Sequence, residues 1–120
     1  MTKIGQLYLQ EGIWNGNRII SEEWVRESAK KSMDLPAYMR VPYHAYGHDY
    51  QWWLETYQSG SGTIYAYSAR GWRNQFIVVL KQLNMVVVFT GVLMKQTHQS
   101  CFLTLFRIIF CLLWIEFFVE

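Results

Sequence analysis

Few side chains in this 120-residue chain stand at spacings that chemistry uses. Ser28-Ala29-Lys30-Lys31 is a Ser-x-x-Lys pattern. Serine is a weak nucleophile until a neighbouring base takes its proton, so such a pair carries acyl transfer when the serine sits at a buried helix N-terminus facing a cleft. Ser28 falls instead near the C-terminal end of a charged helical stretch, and no catalytic role is assigned to it. His44 and His48 stand four apart with Asp49 adjacent, a metal-ligand spacing on a helix. Pro42 and Gly47 oppose a helix there, so these residues read as polar loop and no metal site is expected. Cys101 and Cys111 are the only cysteines; ten residues apart on a helix they would be separated by about 15 Å, too far to bridge, and they read as buried thiols. Tyr46, Tyr50, Trp52, Trp53 and Trp72 could form a stacking surface, although strand spacing makes them sheet core. Neither Gly12 nor Gly60-Ser61-Gly62 begins a phosphate-binding loop with its lysine, so nucleotide chemistry has no support and no cofactor is expected.

The elements that would position these groups follow from periodicity. Ile4, Leu7 and Tyr8 predict a short amphipathic helix over 2–11, ended by Gly12. Trp14-Asn15-Gly16-Asn17 predicts a tight turn with a small hairpin or looped bridge. Ser21 is a suitable N-cap for a helix over 21–31, with Glu22 and Glu23 in its first turn and Lys30 and Lys31 in its last. Residues 32–47 hold both prolines and no sustained period, which predicts a long ordered loop. Strands are expected at 50–54, 63–69, 76–80 and 85–89. Ser59-Gly60-Ser61-Gly62 and Lys81-Gln82-Leu83-Asn84 form the turns, giving a four-stranded antiparallel meander.

Composition bounds the whole. The chain is 52% hydrophobic, 18% aromatic and 17% charged, which rules out wholesale disorder. A net charge of +2 without a basic run gives no footprint for nucleic acid. Residues 101–119 are apolar except for Thr104, Arg107 and Glu116. Such a tail suits a helix buried against the sheet; a membrane contact through 101–120 is the competing expectation, weakened as a clean span by its two charges. The N-terminal residues do not have the pattern of a signal peptide, and no compartment is assigned. Together these readings predict an α+β fold, helices packed on an antiparallel sheet, with one domain over 1–93 and a hydrophobic helix over 94–120.

Five stretches in order carry a resemblance: Gly5-Gln6-Leu7-Tyr8-Leu9, Trp14-Asn15-Gly16, Ile20-Ser21-Glu22-Glu23-Trp24-Val25, Tyr50-Gln51-Trp52-Trp53, and Asn84-Met85-Val86-Val87-Val88-Phe89-Thr90-Gly91. Over residues 3–93 the chain resembles the C-terminal part of the serine β-lactamase-like hydrolases, which include class C β-lactamases, penicillin-binding proteins and related esterases. The resemblance implies a C-terminal fragment of the β-lactamase/transpeptidase-like fold and acyl transfer through a serine ester. It implies that the Ser-x-x-Lys and Tyr-x-Asn motifs belong upstream of this chain, since Tyr-x-Asn occurs nowhere in it.

What the resemblance leaves to these residues is one pocket wall. The family's turn resembles Gly-x-Gly-Gly-Gln, and the matching stretch is Gly71-Trp72-Arg73-Asn74-Gln75, in which Gly71 and Gln75 match while Arg73 and Asn74 replace glycines. Lys81 stands where relatives commonly carry proline. By this carry-over Tyr67, Ser68, Arg70, Gly71 and Trp72 line a substrate pocket, and a small ester or amide is the partner of a longer parent only. The alternative expectation is a non-catalytic small protein that docks on a partner, on a membrane or on itself through its apolar surface.

Overall fold

A computed structural model describes residues 1–35, 45–59, 62–71 and 75–91. Helix α1, Thr2–Leu9, leads into a miniature hairpin of β1, Ile13–Trp14, and β2, Asn17–Arg18. Asn15 and Gly16 form its two-residue turn with φ of 49° and 77°, the left-handed pair that this type of hairpin turn requires. Helix α2, Glu22–Ser28, begins at Ser21, whose Oγ accepts from the Trp24 amide at 3.1 Å. That bond satisfies one of the amides a helix N-terminus leaves open, and Glu22 and Glu23 meet the positive end of the helix.

Six strands follow: β3, Met33–Asp34; β4, Ala45–Asp49; β5, Trp52–Ser59; β6, Gly62–Gly71; β7, Gln75–Leu80; and β8, Met85–Thr90. They form one antiparallel sheet in strict chain order. Leu80 and Met85 pair at the end of the last hairpin, closed by a 3₁₀ turn, Lys81–Leu83, and by Asn84 at φ 49°. The β4–β5 turn is less comfortable, because Tyr50 and Gln51 hold φ of 40° and 72° without a glycine.

This architecture corrects the expected fold class. The described chain is mostly antiparallel sheet with helices of only 8 and 7 residues, not the α+β arrangement of helices packed on a sheet expected of a β-lactamase/transpeptidase-like C-terminal fragment. Two physical reasons account for the difference. α2 stops at Ser28, three residues before its expected end, and residues 33–34 and 45–49, expected as loop, pair into the sheet as β3 and β4. β4 escaped its periodicity because a register shift between Ala45 and Gly47 breaks the alternation. The expected helix over the tail lies outside the described residues. Among the described residues no helix is long and apolar enough to cross a membrane.

The sheet carries a core on each face. On one, Trp52, Leu54, Tyr67, Ile77 and Val79 receive Tyr8 and Leu9 of α1. On the other are Tyr57, Ile64, Ala66, Phe76, Val78 and Leu80. Gly5 allows α1 its close approach: a Cβ there would run into Val86 Cγ1 and sit 2.9 Å from Ile77 Cγ2. Gly5→Ala should therefore overpack the seam and cost about 1–3 kcal/mol. In urea unfolding the same substitution should cost less in a Val86→Ala background, where the obstructing methyl groups are gone; equal costs in the two backgrounds would refute the close-approach account.

Candidate functional site

Alternation along β6 divides the expected pocket residues between the two faces. Tyr67 points to the α1 face, where its ring meets Trp52 edge-on at 5.2 Å and its hydroxyl donates to the Tyr8 carbonyl at 3.3 Å. Ser68 and Arg70 point the other way. Gly71 ends the strand, paired with Gln75. Trp72 lies outside the described residues. The structure thus brings Ser68 and Arg70 together and sends Tyr67 into the helix-side core.

What gathers Ser68 and Arg70 is Glu55, which belongs to no motif in the sequence. Its carboxylate is fully buried in the middle of β5, and a buried charge is costly unless paired and hydrogen-bonded. Here Oε1 accepts from Ser68 Oγ and from Arg70 Nη2, and Oε2 accepts from the Tyr57 hydroxyl. Arg70 Nε donates to Ser68 Oγ at 3.2 Å, and its guanidinium lies 5.1 Å from the centre of the Trp53 ring. The strand period explains the set: Trp53, Glu55 and Tyr57 share one face of β5, and Ser68 and Arg70 share the same face of β6. The available signal was one acid inside an apolar strand and one base inside the next.

Chemically the cluster is closed. Ser68 is fully buried and donates to a carboxylate already engaged by an arginine, so it is held as a structural hydroxyl rather than offered as a nucleophile. Ser28 is equally shut in: its Oγ donates to the Val25 carbonyl at 3.3 Å and lies 3.5 Å from the Tyr8 hydroxyl, while Lys31 pairs with Asp34 at 2.5 Å. His48 lies in a strand and packs edge-on against Trp53 at 4.7 Å, and His44 lies outside the described residues. Among the described residues no group of three or more acidic, histidine or cysteine side chains could hold a metal. The cysteines are outside the described residues.

The tyrosines register this environment. Burial, and then the charge of Glu55, pushes the Tyr57 phenol far above its usual value; burial, and then Tyr8 and Glu11, does the same to Tyr67. Glu11, by contrast, is held below the usual carboxylate range by the hydrogen bond from Lys81 at 3.1 Å. In comparisons with known proteins, no family model matches the chain and no curated protein matches it.

Glu55→Ala should cost about 1–3 kcal/mol in urea unfolding, because it takes the counter-charge from the partly buried Arg70 and an acceptor from the buried Ser68. Arg70→Ala should cost more, about 3–5 kcal/mol, because it leaves the fully buried Glu55 carboxylate without its counter-charge, and the double substitution should cost less than the sum. Additive losses would dissolve the network. At high pH the sign follows from the raised phenols. Above about pH 10 an unfolded tyrosine releases its proton while Tyr57 and Tyr67 keep theirs, so stability present below that pH is lost as pH rises through it. Phenolate absorbance should therefore leave at least two of the eight tyrosines un-ionised until the sheet unfolds; ionisation of all eight with unchanged circular dichroism would contradict their burial.

Proposed function

We propose that this chain supplies the pocket-side sheet of a β-lactamase-related serine hydrolase, an enzyme of ester or amide acyl transfer whose attacking serine lies on sequence outside these 120 residues. One observation carries the reading: Gly71 and Gln75, the two residues that match the resembled turn, are cross-strand partners at the paired ends of β6 and β7. The five resembling stretches, in their order, lend the rest of its support.

Each serine considered as a nucleophile is closed off. Ser28 and Ser68 are both buried; the Ser28 hydroxyl bonds the Val25 carbonyl and the Tyr8 hydroxyl, and the Ser68 hydroxyl bonds Glu55 and Arg70. A wall, however, needs no nucleophile. Its task is to hold donors and apolar surface still while the chemistry occurs on another element, and a sheet with a cross-linked polar centre is suitably stiff. On this reading the substrate is a small ester or amide, and the chain alone neither acylates nor turns over.

The test is made on the native polypeptide. Captured from its source cells with an antibody against residues 1–35, it should exceed 14.3 kDa and gain one acyl group from a penicillin or an activated ester. A native polypeptide of 14.3 kDa that takes no acyl group would overturn the proposal. So would a 14.3 kDa chain acylated in a manner abolished by Ser28→Ala.

A further inference from the structure

Two stretches of the sheet's edge are closed against further pairing. β3, at one end, is only two residues long and carries Asp34, which pairs with Lys31 at 2.5 Å; short, charged edges resist another strand. Where β6 runs beyond the end of β7, the Gln82 side chain stands in for a strand. Its Oε1 accepts from the Tyr65 amide at 2.6 Å and its Nε2 donates to the Thr63 carbonyl at 3.2 Å.

β8, at the other end of the sheet, has neither device. Among the described residues no strand pairs with its outer side. Pairing with β7 uses the amides and carbonyls of alternate β8 residues, and those of the remaining residues point away from the sheet. Met85, Val86, Val87, Val88 and Phe89 are each half-buried, opposite β7 residues that are fully buried. From Asn84 to Gly91 the sequence holds no charge and no proline, and β8 follows β7 without a bulge. A flat, uncharged, β-branched edge of this length is a template for another strand.

We propose that β8 is the docking edge for a second copy of this chain, the two β8 strands pairing antiparallel about a two-fold axis so that one sheet runs through both copies. An antiparallel edge is complementary to itself under that symmetry, because the outward donors of one strand meet the outward acceptors of the other. Nothing in residues 84–91 repels an identical strand, since like charges are absent from both. The same axis keeps both α1 helices on one face. Gly5 seats α1 directly on Val86, and Met1 and Ile4 in its first turn are exposed beside that seam, so apolar contact extends beyond the ladder. A lipid surface offers a strand edge no hydrogen bonds in return. A partner of other sequence would have to bring its own strand, whereas each copy already presents one.

The inference does not depend on the acyl-transfer reading, and its test uses the 120-residue chain itself. Sedimentation equilibrium over a dilution series should show a dimer of the 14.3 kDa chain dissociating to single copies. Residue-resolved amide exchange should show alternate β8 amides protected at all dilutions, and the intervening ones several-fold slower to exchange in the dimer than in the monomer. Of Val87→Pro and Val88→Pro, one removes an amide bonded to β7 and the other an outward amide. The second should keep the circular dichroism of the sheet and be monomeric; the exchange measurement stands even if neither variant folds. Intervening amides already protected in the monomer would place another segment of the same chain on this edge and overturn the proposal. A dimer whose intervening amides exchange as fast as the monomer's would join the copies elsewhere and overturn it. A single-copy mass throughout the series would overturn it as well.

Discussion

A carboxylate inside a sheet is the constraint on which the rest of this structure depends. Glu55 stands where an apolar side chain would be cheap, and its burial obliges three neighbours to take fixed positions. Tyr57 turns its hydroxyl back along its own strand, Ser68 reaches across from β6, and Arg70 folds over Trp53 to bring its guanidinium inward. A one-residue slip of β5 against β6 would part Glu55 and Tyr57 from Ser68 and Arg70. The polar centre thus specifies the register of β5 against β6 at the middle of the sheet. Hydrophobic burial stabilises the sheet; the buried charge selects one alignment of its central strand pair.

The opposite face solves a different problem by removing a side chain. α1 has only eight residues and little intrinsic stability, so it must gain its structure from packing. Gly5 lets its backbone settle directly on Ile77 and Val86, and Tyr8 places a ring 4.6 Å from that of Trp52. The Glu11–Lys81 pair then ties the loop after α1 to the turn before β8. Residues far apart in the chain are joined at one end of the sheet, and the short N-terminal elements become part of the sheet's architecture.

Local signals in the sequence were legible where one residue type answers one backbone need. Asn15-Gly16 announced a left-handed turn, Ser21 announced a cap, and the alternating runs after residue 50 announced a meander. Legibility failed where tertiary context decides. Residues 45–49 pair through a register shift, which destroys the period by which strands are recognised. The resemblance indicated a continuous stretch from Tyr67 to Trp72, yet a strand presents alternate residues to opposite faces, so Tyr67 joins the helix side while Ser68 and Arg70 join Glu55. Glu55 itself was overlooked because a single acid in a strand looks like a solvent-facing position until the base in the next strand is placed beside it.

The strict chain order of the strands has a consequence for how the molecule is made. Each strand of the large sheet pairs with its sequence neighbour, so contacts close over short loops and the sheet can assemble progressively as the polypeptide leaves the ribosome. That progression has a checkpoint. β5 emerges carrying a carboxylate whose counter-ion is fifteen residues further along, on β6. Until Arg70 arrives, burying Glu55 is penalised, so the nascent β4–β5 hairpin is discouraged from collapsing prematurely or pairing with a stray strand. The residue that aligns the finished sheet also sets the moment at which the growing one can close.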